Sequence, residues 1–212
     1  MRKTIAMSLS VLLHPMLMPT YGLLILFFGM KGTVYDYITP TTLKWRLTFI
    51  VLVFTFIFPS LNIYLLYKLR RIGDITLSNQ RERTFPYLVT SLFYFGLFYL
   101  LLDVNLWPEI KLFILGAGLA ILLTALINSV TKISAHMVGI GGLIGAIIAL
   151  SYLIRFDTML IIAALFLVAG LVGTARLLLQ AHSAEQIYMG FGLGLLVQLT
   201  LMYLGLGGGL LS

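Results

Sequence analysis

The sequence predicts an all-α polytopic transmembrane helix bundle of about seven spans, and three observations carry that expectation. Hydrophobic residues make up 60% of the chain and charged residues only 10%, and the mean hydropathy of +1.06 lies far from ordinary globular usage. Apolar stretches of roughly 20 residues, the length that crosses a hydrocarbon core, recur from one end to the other. The polar residues gather in short segments between them. A single membrane domain over residues 1–212 follows, with no soluble domain, long linker or low-complexity tract. Cysteine is absent, so disulfides, thiolate metal sites and thiol nucleophiles are excluded.

Hydropathy places the spans near 5–28, 47–67, 86–102, 111–130, 137–154, 158–175 and 187–204. The first begins with Arg2 and Lys3 and imitates a signal peptide, but its apolar stretch is long and no small-residue cleavage site follows, so it is read as retained. His14, Pro15 and Pro19 interrupt it. A proline inside a helix removes a hydrogen bond and crowds the preceding turn, so this span is expected to be kinked, broken or re-entrant. Pro59 should bend the second span in the same way. Glycines four apart, Gly141 with Gly145, Gly190 with Gly194 and Gly205 with Gly209, predict close helix packing within one bundle, with a dimerisation face as the alternative.

Ionisable groups are expensive at membrane depth, so the polar minority is the informative part. Lys68, Arg70, Arg71, Arg81 and Arg83 precede the third span; Lys132, Ser134 and His136 lie between the fourth and fifth; Arg176, His182, Ser183, Glu185 and Gln186 lie between the sixth and seventh. Two spans separate each segment from the next. An even number of crossings returns the chain to the same face, so the three segments can converge at one end of the bundle. Arginine offers a planar fork of donors to phosphate oxygens, and imidazole can serve as nucleophile or general acid. Together they suit phosphoryl transfer. The run Lys68, Arg70, Arg71 reads better as a headgroup anchor, whereas an anchor has no need of the histidine that accompanies Arg176.

Three motifs resemble those of the type-2 phosphatidic acid phosphatase superfamily of membrane lipid phosphatases. That family's Ser-Arg, five residues, His, three residues, Asp is matched by Ala175-Arg176, five residues, His182, three residues, Gln186, followed by Ile187-Tyr188-Met189-Gly190. Its Pro-Ser-Gly-His is matched by Ile133-Ser134-Ala135-His136. Its Lys, six residues, Arg-Pro is fainter: Arg83 precedes Thr84-Phe85-Pro86, and the lysine position holds Thr76. The resemblance covers approximately residues 70–205 and implies a six-helix phosphatase-like core, to which the kinked N-terminal segment is an addition. It implies His182 as the nucleophile and His136 as the acid that protonates the departing alkoxide. Arg83, Ser134 and Arg176 would bind the phosphoryl oxygens. No cofactor is implied. With three histidines and no His-Glu-x-x-His pattern, no metal site is expected either.

The expected function is therefore hydrolysis of a phosphomonoester or diphosphate of a membrane lipid. The carboxylate that would orient His182 is replaced by Gln186, with Glu185 adjacent as a second candidate. A catalytically degenerate relative, binding a lipid phosphate or serving as a subunit of a membrane complex, is the alternative. A small transporter is a third reading, opposed by the clustering of ionisable residues at span ends. Membrane lipids are the expected partners, with a homo-oligomer or a membrane-protein partner left open and no nucleic acid expected. The expected location is a bacterial inner (cytoplasmic) membrane. With seven spans the polar end carries nine Lys and Arg residues against five at the other. The positive-inside rule then points the site at the cytoplasm, whereas the resemblance implies an outward-facing one.

Overall fold

The computed structural model describes residues 2–207 and is helical throughout its regular structure. Seven segments are long and apolar enough to cross a membrane: Arg2–Gly29, Thr41–Lys68, Gln80–Leu102, Pro108–Val130, Ala135–Ile154, Met159–Leu178 and Ala184–Gly205. The chain is thus a multi-pass integral membrane bundle.

The first segment is broken, as its prolines require. Helix α1 (Arg2–Leu12) ends before His14, whose backbone is extended; a 3₁₀ turn (Pro15–Leu17) then leads into α2 (Met18–Leu24) and a π-helical turn (Ile25–Gly29). Two backbone groups near the break find local partners. The Met16 N–H donates to His14 Nδ1 at 3.4 Å, and the Tyr21 hydroxyl reaches back to the Leu12 carbonyl at 2.7 Å. Such compensation is what allows a helix to break in lipid. Past the break α2 runs beside α8, while α1 packs along α9.

The second segment comprises α4 (Thr41–Leu52), a π-helical turn (Val53–Ile57) and α5 (Phe58–Lys68), after the short helix α3 (Val34–Ile38). Pro59 has no N–H for the carbonyl of Thr55 one turn earlier. That carbonyl instead accepts the Tyr94 hydroxyl of the third segment at 3.4 Å. At this end of the bundle Lys44 is only 4% exposed. Its ammonium donates to the Asp36 carboxylate at 2.8 Å, the Asp36 carbonyl at 2.9 Å and the Phe27 carbonyl at 3.4 Å.

Helix α6 (Gln80–Leu102) starts six residues before the expected third span, so Arg83 and Pro86 lie inside it rather than in a loop. The reason is local: Asn79 accepts the Arg81 N–H at 3.2 Å and contacts the Glu82 carboxylate at 3.3 Å, a capping arrangement readable as Asn-x-x-Glu. Helices α7 (Pro108–Val130), α8 (Ala135–Ile154), α9 (Met159–Leu178) and α10 (Ala184–Gly207) complete the bundle. Gln80 and Asn128 clasp α6 to α7, each donating its side-chain amide to the other's backbone carbonyl, at 2.8 and 2.9 Å.

The closest packing is between α8 and α10, and glycine makes it. A Cβ added to Gly141 or Gly145 would run into the carbonyls of Phe191 or Leu195. One on Gly190 would stand 2.6 Å from the Ser134 carbonyl, and one on Gly194 would overlap the Val138 carbonyl. Two of the three expected glycine pairs thus pack helices within the bundle. Gly205 of the third pair packs on Leu112, and Gly209 lies outside the described residues.

Candidate functional site

The glycine contact sets the starts of α8 and α10 side by side, and the sequence-predicted site is built on that junction. The Ser134 N–H donates to the Gln186 carbonyl at 3.3 Å. Ser134 is fully buried, and its hydroxyl oxygen has no hydrogen-bond partner.

His182 immediately precedes a helix N-terminus assembled as a Ser-x-x-Gln capping box. The Gln186 N–H donates to Ser183 Oγ at 3.4 Å, and the Gln186 side-chain oxygen accepts the Ser183 N–H at 3.3 Å. The same oxygen stands 3.0 Å from His182 Nδ1. An amide oxygen only accepts, so Nδ1 carries the proton and Nε2 keeps its lone pair. Gln186 therefore occupies the orienting position opposite Nδ1, while Glu185 is exposed.

Burial, at 8% exposure, pushes the His182 pKa down to about 4; the Gln186 bond opposes this, and the positive charges of Arg83, Arg176 and Lys132 add to it. Burial also lowers the Lys132 amine, reinforced by Arg83 and Arg176. These couplings put one cation from each of three polar segments, at the start of α6, the α7–α8 link and the end of α9, within electrostatic reach of one imidazole. His136 joins them, within electrostatic reach of Arg176 and His182. The convergence expected from the even number of crossings is realised. Among the described residues the one ion pair is Lys44 with Asp36, at the other end of the bundle, so the three cations here have no carboxylate to neutralise them. The Arg176 Nε is buried without a partner.

Thr76, at the lysine position of the first motif, does not join the cluster. It is exposed and hydrogen-bonded to Asp74, which also accepts from Ser78 at 2.6 Å. Those bonds hold the Asp74 carboxyl down at about 2. Lys132, from another loop, is the lysine within electrostatic reach of His182. Arg83 is 5% exposed, with its Nε donating to the Leu77 carbonyl.

Three further residues border the site. Ser10 of α1 accepts from Arg176 Nη1 at 3.3 Å through its hydroxyl, and its carbonyl lies 3.0 Å from His136 Nε2. That carbonyl is available because the helix stops at His14. The His14 ring stands edge-on to His136 with centroids 5.5 Å apart. Tyr87, one turn beyond Arg83 on α6, lies near both Arg83 and Arg176. The signal for His14 was present in the sequence, since an imidazole between prolines in an apolar span is costly without a partner. Beneath the cluster, between the first segment and α6, α7 and α8, lies an apolar cavity of about 70 Å³ that Tyr87 and Ala135 border.

The His182 environment makes an outcome testable by NMR titration of labelled histidine. The folded protein should protonate this ring near about 4 rather than near the ordinary value of about 6.5. A depressed pKa means that the unfolded chain takes up the proton first. The associated stability is complete above pH ~6.5 and lost as the pH falls toward about 4. Gln186→Asp should move the midpoint upward, because a carboxylate beside Nδ1 favours the imidazolium. An unshifted midpoint in that variant would count against the pairing of these two side chains. Compared with known proteins, the chain matches no family model, no curated protein and no solved structure.

Proposed function

We propose that the chain is a membrane lipid-phosphate phosphatase-like protein that binds a phosphomonoester or diphosphate at the end of its bundle and hydrolyses it through His182. The observation that carries this reading is that Arg83, Lys132 and Arg176 all lie within electrostatic reach of the His182 imidazole, with no carboxylate paired to them among the described residues. One buried and two half-buried cations close together are costly unless an anion joins them, and a phosphoryl group is an anion with enough acceptor oxygens for all three. The unpaired Ser134 hydroxyl and Arg176 Nε are further donors for it.

The chemistry then follows from the tautomer. Nε2 of His182 attacks phosphorus, and a P–N bond forms as the P–O bond to the lipid oxygen breaks. The leaving alkoxide takes a proton from His136. Water next attacks phosphorus, the P–N bond breaks, phosphate departs and the water's proton returns to His136. Fixed cations stabilise the charge that develops on the phosphoryl oxygens. For His136 to act, the contact of its Nε2 with the Ser10 carbonyl must give way to the leaving oxygen.

Phosphate release from long-chain lipid mono- and diphosphates by the purified protein tests the reading. Arg176→Ala should lower turnover by about 10²–10³, and a short-chain soluble analogue should turn over more slowly than the long-chain lipid. Equal turnover of the two would argue against a substrate presented from the bilayer. A second reading, a binder that does not cleave, is favoured by one observation: Gln186 orients Nδ1 but supplies no charge to stabilise a phosphohistidine cation. Tight binding of lipid phosphate without release would select that reading. Absence of both would overturn both. Gln186→Asp separates them from the other direction, because a carboxylate there should raise turnover if the rest of the site is competent.

A further inference from the structure

The cationic cluster is closed in this structure, and α1 takes part in closing it. The Ser134 hydroxyl and the Arg176 Nε are enclosed as well as unpaired, with virtually no surface open to a water-sized molecule. Two other groups are already taken by a single residue of α1. The Ser10 hydroxyl accepts from Arg176 Nη1 at 3.3 Å, and the Ser10 carbonyl holds His136 Nε2 at 3.0 Å. The contact of Arg83 with the Leu77 carbonyl is of a different kind. Leu77 and Ile72 are buried against Met16 and Ile63, and Glu82 accepts the Gly73 N–H at 2.8 Å, so that loop is fixed. Helix α1 is held far more lightly. Of its eleven residues only Ala6 and Ser10 are buried, while Ile5, Met7, Val11 and Leu12 face outward. A helix in lipid gains little by exchanging lipid for protein, so close packing and polar contacts decide whether it docks. Behind it the His14 backbone is extended, at φ −64° and ψ 137°, as a residue before proline prefers. That fixed break gives α1 a pivot, and the bond from the Tyr21 hydroxyl to the Leu12 carbonyl lies beside it.

We propose that α1 is an autoinhibitory lid: Ser10 stands in for an anion at Arg176 and for the leaving oxygen at His136, and an incoming phosphate-type anion displaces it by turning α1 about His14. The inference rests on the reading of the cluster as an anion site and adds the state in which that site is shut. The exchange favours the anion. A guanidinium bonds a phosphate oxygen more strongly than a neutral hydroxyl, because both partners are then charged. The released Ser10 hydroxyl can donate to the carbonyl one turn back, that of Ala6, as helical serines do. A carbonyl only accepts, so His136 Nε2 carries the proton in the shut state. Departure of Ser10 frees that proton for donation, which ties the acid to occupancy of the site. A shut lid also lowers apparent affinity by the fraction of molecules that are open. Weakening the latch should therefore tighten anion binding, whereas removing a ligand of the anion should weaken it.

The sequence contains no cysteine, so two introduced cysteines can carry spin labels without interference. Ile5→Cys on α1 and Leu160→Cys on α9, both at exposed positions, report the separation of the two helices by double electron–electron resonance in the full-length protein in nanodiscs. Because α1 packs along α9, undocking lengthens that separation. The expected result is a mostly docked parent with a longer-distance fraction that grows as inorganic phosphate is added. Ser10→Ala should raise that fraction about tenfold without phosphate and tighten phosphate binding several-fold. Ser8→Ala, at an exposed position of the same helix, should do neither. Arg176→Ala removes latch and ligand together, so it should undock α1 and lose phosphate binding. A separation that neither Ser10→Ala nor phosphate changes would overturn the lid. Phosphate binding weakened by Ser10→Ala would overturn the competition and make Ser10 a ligand of the anion. Undocking by Ser10→Ala in a protein that binds no phosphate, docked or undocked, would overturn the anion reading while the latch stood.

Discussion

Gly194→Ala is expected to destabilise the protein by about 3 kcal/mol or more, a large share of the roughly 5–15 kcal/mol that a folded domain typically has. The added methyl has no room, since a Cβ there overlaps the Val138 carbonyl and crowds the Gly142 backbone nitrogen. Backbone atoms cannot rotate aside as a side chain can, so α8 and α10 must separate. Gly192→Ala, two residues earlier on the same helix, is the control. Nothing lies within 4 Å of a Cβ at that position, so the intrinsic preference of a helix for alanine should make it neutral or stabilising by up to about 1 kcal/mol. Unfolding midpoints of the two variants in detergent, side by side, check the sign as well as the size. Because Ser134 and Gln186 meet across this contact, Gly194→Ala should also reduce lipid-phosphate binding at temperatures where the protein is still folded.

His182→Ala is expected to abolish phosphatase turnover, by a factor on the order of 10³ or more, while leaving the fold intact. Only this residue is asked to form a bond to phosphorus, so no other donor in the cluster replaces it. The helix start beneath it does not depend on the imidazole. Ser183 and Gln186 cap each other, and the Ser134 N–H is held by the Gln186 backbone. The unfolding midpoint should therefore move by no more than one ordinary hydrogen bond, about 1 kcal/mol. Acid-labile phosphate trapped on the parent protein and missing from His182→Ala would identify the nucleophile. Turnover retained by folded His182→Ala would refute the assignment.

The spans were legible in the sequence because each is an uninterrupted apolar run of membrane length, and length and hydropathy suffice to recognise one. The gathering of Arg83, Lys132, Arg176 and His182 was legible for a topological reason: parity of crossings fixes the face on which a loop emerges, whatever the angles between helices. Less of the first segment could be read. Prolines foretell that a helix will break, but not which neighbour the freed end will meet, so the contacts of Ser10 with His136 and Arg176 had no sequence signal. The start of α6 was misplaced because charged residues read as loop, although Asn79 and Glu82 spell a helix cap. Ser183 and Gln186 spell another, which gives Gln186 a structural duty beside its contact with His182. That Lys132 joins the cluster and Thr76 does not was hidden for a different cause. Two residues 56 positions apart in the chain are placed relative to one imidazole only by the fold.

The buried ammonium of Lys44 bears on how the chain is made. It ties the end of the first segment, through the Phe27 carbonyl, to the start of the second, through its own helix, with Asp36 in the connection between them. All of its partners lie upstream of it. Once about the first 70 residues have left the ribosome, this clasp has every atom it needs, and the first two segments can close as a hairpin before the third is synthesised. The cationic cluster has the opposite character, since its last component, Gln186, emerges only after the first six segments. Lys44→Met should accordingly show its defect during membrane insertion, as early degradation of nascent chains, rather than in the finished protein's handling of phosphate.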